Sequence, residues 1–235
     1  CHPCPACRWF PFDSDRHRFT ATMDATRIIA IRHGETAWNV DTRIQGQLDV
    51  PLNDTGRWQA ERLARALAGR EAINVVYTSD LLRAWETARA VAESTGAPLI
   101  ADEGLRERGF GAFQGKTFTE IEAAMPDEAQ RWRKRDPFWA PPGGESLTAM
   151  RRRVIETLHT LASRHRGEQI VMVAHGGVMD LLYRAATGQE LQAPRTWQLG
   201  NTAINRLLWT PEGLTLVGWS DTSHLENESL DESTT

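Results

Sequence analysis

The chain has 235 residues, 40% of them hydrophobic and 25% charged, which is the make-up of an ordinary globular protein with room for one large α/β domain or two small ones. No apolar run approaches the roughly 20 residues that cross a bilayer, which argues against a helical membrane protein. The net charge of −4 is uneven: 24 basic and 24 acidic residues balance between Met23 and Ser220, whereas Asp221–Thr235 has five acids and no Lys or Arg. A neutral body argues against nucleic-acid binding, which needs a basic face.

All three cysteines, Cys1, Cys4 and Cys7, fall in the first seven residues. Three sulfurs crowded among prolines, with no second ligand pair downstream, make a poor zinc site despite the Cys-x-x-Cys-x-x-Cys spacing. Residues 1–22 are therefore expected to be a disordered leader, with Met23 as the natural start. The remaining chain has no cysteine for a disulfide framework, as expected for a cytoplasmic protein.

Arg27–Ile31 reads as a buried strand, and a loop rich in Asp, Asn, Pro and Gly follows. Asp54 or Thr55 is expected to cap a helix with Ala60, Leu63, Ala64 and Leu67 on its inner face. A second strand is expected at Asn74–Tyr77, then a helix burying Leu81, Trp85, Ala88, Val91 and Ala92, then a short strand at Pro98–Ile100. Residues 102–146 have weak periodicity, several Pro and Gly, and one short helix candidate near Thr119–Ala124; a segment this long reads as a lid-like insertion. Helical spacing returns at Leu147, Met150, Val154, Leu158 and Leu161. Ile170–Ala174 is a fully apolar strand, a helix is expected over Val178–Ala186, and Ala203–Trp209 with Leu214–Trp219 should close as a hairpin. Strands alternating with helices predict an α/β three-layer sandwich with a mostly parallel central sheet, spanning 23–220 and followed by an acidic tail at 221–235.

Two of these strands run directly into His-Gly pairs, Arg32-His33-Gly34 and His175-Gly176-Gly177. In open α/β sheets the ligand crevice lies beyond the carboxyl ends of the strands, so both histidines should face it. Arg83, six residues after the second strand, belongs to the same edge. Two histidines with Arg32 and Arg83 form a convergent cationic pocket suited to a dianionic phosphate. Glu107 follows the third strand, and a carboxyl beside a bound phosphate holds its proton more tightly, as a general acid must. Other features have plainer readings. Arg151-Arg152-Arg153 reads as a solvated helix face, His159 and His165 as exposed, and the nine tryptophans as core and lid packing. Arg131, Arg133, Lys134 and Arg135 lie in the insertion, where contact with an anionic substrate competes with simple surface exposure.

From Arg27 to Trp219 the chain resembles the histidine phosphatase superfamily, the phosphoglycerate mutase-like proteins. The resemblance rests on Arg-His-Gly-Glu-Thr-x-x-Asn (32–39), Gln45-Gly46, Asp49-x-Pro51-Leu52, and Thr78-Ser79-x-Leu-x-Arg83-Ala-x-x-Thr87. It continues through Leu105-x-Glu107, Gly143-Gly-Glu145-Ser146, Ala174-His175-Gly176-Gly177 and Asn201-Thr202. It implies that His33 attacks phosphorus and carries the phosphoryl group, that Arg32, Arg83 and His175 hold its oxygens, and that Glu107 protonates the leaving oxygen. Asn39, Gln45, Gly46 and Gly176 would line the substrate side, and no metal is implied.

Hydrolysis of small phosphomonoesters is the favoured activity. The alternatives are a phosphoglycerate mutase, which would need 2,3-bisphosphoglycerate as cofactor, and a non-catalytic phospholigand binder. The family's mutases carry Thr-Gly where this chain has Gln45-Gly46, His-Tyr-Gly where it has Gly109-Phe110-Gly111, and His-Gly-Asn where it has His175-Gly176-Gly177. The expected partner is a small phosphorylated metabolite; the sequence sets no oligomeric state and no physiological substrate.

Overall fold

The computed structural model describes residues 24–226, so the expected leader lies outside the described residues, as does most of the expected tail. Six strands form one sheet: β1 (Thr26–Arg32), β2 (Val75–Thr78), β3 (Leu99–Ala101), β4 (Gln169–Ala174), β5 (Ile204–Thr210) and β6 (Gly213–Asp221). Their order is β3-β2-β4-β1-β5-β6. The first four are parallel, while β5 runs antiparallel to β1 and β6 to β5, giving the expected closing hairpin. The sheet is thus mostly parallel and central, as the alternation of elements predicts.

Period-two alternation along β1 divides the core. Ile29 and Ile31 face α2 (Asp54–Ala68) and α3 (Leu82–Thr95), where they meet Leu63, Leu67, Ala88 and Val91. Ile28 and Ala30 face the other way, onto α6 (Leu147–Ala162) and α7 (Gly176–Thr187), where they meet Val154, Leu158, Met179 and Leu182. Strands buried on both faces read as continuous apolar runs, and β4 is buried at all six positions.

Several local expectations are corrected. The cap of α2 is Asn53, whose side chain accepts from the Gly56 amide at 2.7 Å, and not Asp54 or Thr55. A four-residue helix, α1 (Ala37–Val40), occupies the first loop and is closed by a Thr36/Asn39 capping box. The insertion holds two helices, α4 (Phe118–Ala124) and α5 (Pro126–Arg133). Pro126 sits at the first position of α5, where its missing N–H costs nothing, so a second helix starts there that the sequence reading did not include. Around Phe113, Ile121 and Ala129 the insertion builds a small core of its own, walled by Trp132 and Trp139. At the far end β6 runs to Asp221, and a 3₁₀ turn at Ser223–Leu225 buries His224, so the folded part continues past the expected boundary at 220. His165 is half-buried between Tyr77 Oη (2.9 Å) and Glu168 (2.6 Å); His159 is exposed, with Nδ1 accepting from Trp209 Nε1 at 2.8 Å.

Candidate active site

The site begins with a pairing of strands. β1 and β4 are parallel neighbours with Arg32 opposite Ala174, and the His33 amide donates to the Ala174 carbonyl at 2.9 Å. The next residue of each chain is a histidine, so His33 and His175 leave the carboxyl edge together, ring centroids 5.3 Å apart. Both are buried.

The hydrogen bonds of His33 define its tautomer. Nδ1 lies 2.7 Å from the Gly34 carbonyl oxygen, which can only accept, so Nδ1 carries the proton and Nε2 keeps its lone pair. That lone pair accepts from Arg83 Nε at 3.3 Å. The other Arg83 nitrogens donate to the Leu48 carbonyl (2.8 Å) and the Gly46 carbonyl (2.7 Å). Arg83 is 1% exposed, and burial pulls its pKa down to about 10, opposed by Glu107 and Asp49, so it stays charged at neutral pH. Burial, then Arg83 and Arg32, hold His33 well below the usual histidine range. His175 is lowered likewise, by burial first and then by Arg83, His33 and Arg32. Both rings are therefore neutral at pH 7.

Two buried groups beside the nucleophile are left without partners among the described residues. Neither ring nitrogen of His175 is hydrogen-bonded, and neither is Nε of Arg32, whose Nη1 donates to the Leu199 carbonyl at 2.6 Å. Unmet buried polar atoms are costly in a folded protein, and a cluster of them is a signature of a missing binding partner. Gly176 stands against the Arg32 guanidinium, where a Cβ would lie 3.6 Å from Nε.

Glu107 is held by two backbone amides, Arg108 N to Oε1 at 2.8 Å and Gly177 N to Oε2 at 3.0 Å. The second amide belongs to the first turn of α7. Arg32, Glu107, Gly176 and Gly177 line a cavity of about 500 Å³ whose outer wall includes Phe110, Trp132 and Trp197. His33 and His175 lie behind this lining and are not part of it, whereas a larger cavity, about 700 Å³, against α2 and β6 includes none of the candidate site residues singled out from sequence.

Of the residues singled out from sequence, the fold gathers Arg32, His33, Arg83, Glu107, His175 and Gly176 at one strand edge. Gln45 is buried nearby with Oε1 unpartnered, and Gly46 contributes its carbonyl to Arg83. Asn39 is less free than expected, because its Oδ1 accepts from the Thr36 amide at 3.0 Å and serves the cap of α1. Of Arg131, Arg133, Lys134 and Arg135, Arg135 lines the cavity, as Arg108 also does, and is held by Asp180 at 3.2 Å. Arg133 pairs with Glu122 at 2.8 Å, and Arg131 and Lys134 are exposed.

Sequence reasoning gave no role to Thr87 or Asn201, and the structure does: Thr87 Oγ1 accepts from the Gly34 amide at 3.0 Å, and Asn201 Nδ2 donates to the His33 carbonyl at 2.8 Å. Arg153 is a correction. It is not solvated with Arg151 and Arg152 but is turned inward onto Glu145 and the backbone around Glu107. A run of three arginines carries no sign of which one turns in.

A buried, neutral imidazole whose unprotonated Nε2 is held by Arg83 alone among the described residues, beside Arg32 and an unpartnered histidine, is equipped to receive a phosphoryl dianion and attack it. Comparison with known proteins agrees. The sequence pattern of the histidine phosphatase superfamily (branch 1) matches residues 28–222. A relative from Arabidopsis thaliana, phosphoglycerate mutase-like protein 4, is 40% identical over 207 residues, covering 87% of this chain and 89% of its own. A second Arabidopsis relative, a metal-independent phosphoserine phosphatase, is 34% identical, with 87% and 85% covered. Among solved structures, the phosphoserine phosphatase of Entamoeba histolytica in complex with 3-phosphoglyceric acid superimposes with a TM-score of 0.75 at 29% identity, covering 86% of this chain and all of that one.

Proposed function

The chain belongs to the histidine phosphatase superfamily, and on that premise we propose that it hydrolyses small phosphomonoesters through a phosphohistidine formed on His33. The observation that carries this reading is the tautomer of His33, with its proton on Nδ1 and its lone pair on Nε2 inside a ring of cations.

In the first step Nε2 of His33 attacks phosphorus while the bond to the leaving oxygen breaks. Arg83 shifts its Nε hydrogen bond from the imidazole to a phosphoryl oxygen. Arg32 Nε and the ring of His175 take up the others and stabilise charge on the equatorial oxygens. Glu107, entering protonated, gives its proton to the departing alkoxide. In the second step the Glu107 carboxylate takes a proton from water, the water oxygen attacks phosphorus, and the N–P bond breaks to release phosphate. Gln45, Gly46 and the Nδ2 end of Asn39 face the substrate side. The arginines supply the positive charge, so no metal enters the scheme, in keeping with the relative named metal-independent. The partner is a small phosphorylated metabolite in the cytoplasm; phosphoserine and 3-phosphoglycerate are the first to try, given the names of the relatives.

His33→Ala is expected to abolish turnover, and acid-quenched mass spectrometry of the wild type should find one phosphoryl group on His33; turnover by the alanine variant would remove the proposal. Phosphorus NMR on 3-phosphoglycerate with a trace of 2,3-bisphosphoglycerate distinguishes hydrolysis from isomerisation. Free phosphate should outpace 2-phosphoglycerate by about tenfold or more, roughly 1.4 kcal/mol in relative barrier. The opposite ratio would make the chain a mutase.

A further inference from the structure

The loop that carries Glu107 has no regular secondary structure between the 3₁₀ turns at Glu103–Leu105 and Gly111–Phe113, yet its backbone is fastened along its length, with Gln47 Nε2 donating to the Glu107 carbonyl at 3.0 Å from one side. Arg153, on the inner side of α6, donates through Nη1 to the carbonyls of Gly104 and Arg106, both at 2.9 Å, and through Nη2 to the carbonyl of Glu107 at 3.4 Å. The same guanidinium holds the Glu145 carboxylate in a two-point pair, Nε to Oε1 at 3.0 Å and Nη2 to Oε2 at 2.8 Å. Glu145 then reaches the far side of the loop. Its amide donates to the Gly109 carbonyl at 2.7 Å, its Oε2 accepts from the Gly109 amide at 3.4 Å, and its carbonyl accepts from Arg108 Nε at 2.7 Å.

We propose that Arg153, acting with Glu145, is a positioning residue for the proton donor: the pair clamps residues 104–109 from behind so that the Glu107 carboxyl meets the leaving oxygen. Neither residue lines the cavity that holds Glu107 and Arg32, so both act through the loop and touch no substrate. The planar five-donor fork of arginine explains the residue type, because three carbonyls and a carboxylate cannot be served together by a lysine ammonium. This proposal rests on the reading of Glu107 as proton donor.

The test uses two substrates on the full chain. Nitrophenyl phosphate has a leaving group that scarcely needs a proton; phosphoserine has an alkoxide that does. A misplaced donor should cost Arg153→Ala about 50-fold in the single-turnover phosphorylation rate with phosphoserine, but less than about fivefold with nitrophenyl phosphate. Competitive inhibition by inorganic phosphate should stay within about twofold, since the cationic cradle is not touched. On a Glu107→Gln background the same substitution should add almost nothing, the non-additivity expected of residues that act as one unit. Arg153→Lys should recover only part of the phosphoserine rate, and Glu145→Gln, a milder change, should show the same selectivity should Arg153→Ala fail to fold. Equal losses on both esters, or an additive double variant, overturn the positioning role. An unselective loss in Glu107→Gln alone overturns the proton-donor reading itself, and the clamp's role with it.

Discussion

A Cβ on Gly177 would stand 2.2 Å from Oε1 of Glu107 and 3.0 Å from the terminal methyl of Met150. Both obstacles are the ends of flexible side chains, so the helix can tolerate the change while the carboxylate cannot stay where it is. Gly177→Ala should therefore leave Tm unchanged or slightly raised, because alanine suits a helix better than glycine by up to about 1 kcal/mol. Phosphorylation by phosphoserine should meanwhile fall by about 10- to 100-fold, since a displaced general acid gives up much of its advantage. Paired thermal melts and single-turnover rates check this; a loss of stability without selective loss of rate would show that the contact matters only for packing. The same residues show how far the site was legible. Histidines at strand ends, with arginines on the same edge, announce themselves because the strand pattern places them. Arg153 does not, because an arginine facing inward on an amphipathic helix looks in sequence like its solvated neighbours Arg151 and Arg152. The commitment of Asn39 to a cap was hidden for a related reason: α1 is four residues long, too short for any periodicity to register.

The loop between β1 and α1 lies directly on the start of α2, and here backbone meets backbone. A Cβ on Gly56 would come within 2.0 Å of the Glu35 carbonyl oxygen, and one on Gly34 within 2.6 Å of the Gly56 carbonyl oxygen. Backbone cannot swing aside as a side chain can, so Gly56→Ala should push α2 away from the segment carrying His33. An overpacking cost of about 1–3 kcal/mol is expected, read as a lowered urea midpoint, together with reduced turnover because the Gly34 and Glu35 backbone moves with it. Unchanged stability would mean that α2 moves aside at no cost. Elements of this kind, helices and strands with one long apolar face, were readable because burial imposes their period. The insertion was not, since its core is a handful of aromatic residues around Phe113 gathered from several short pieces. Trp132 packs against Phe110, Phe113 and Phe118, contacts with no common spacing along the chain.

For the molecule as a whole, two buried neutral histidines link stability to pH. In the unfolded chain His33 and His175 take up protons below about pH 6.5, whereas burial and the neighbouring arginines keep both unprotonated when folded. The unfolded state thus binds more protons in that window, so stability is full above about pH 6.5 and declines as the pH falls, by up to about 1.4 kcal/mol per pH unit for each ring. Urea midpoints between pH 8 and 5.5 in phosphate-free buffer should show this slope, reduced in His175→Gln; an identical slope in that variant would assign the effect to other groups. The pairing of β1 with β4 has a consequence of another kind. The two histidines are neighbours only because strands far apart in the chain lie side by side, with β2 and β3, their helices and the whole insertion intervening in sequence. Contacts between segments so far apart form late and slowly. During synthesis the amino-terminal part thus emerges carrying its nucleophile, yet it remains chemically silent until the last third of the chain arrives. The first turnover by a newly made molecule is then a signal that β1 and β4 have paired, and regain of activity in refolding experiments becomes a clock for that long-range step of assembly.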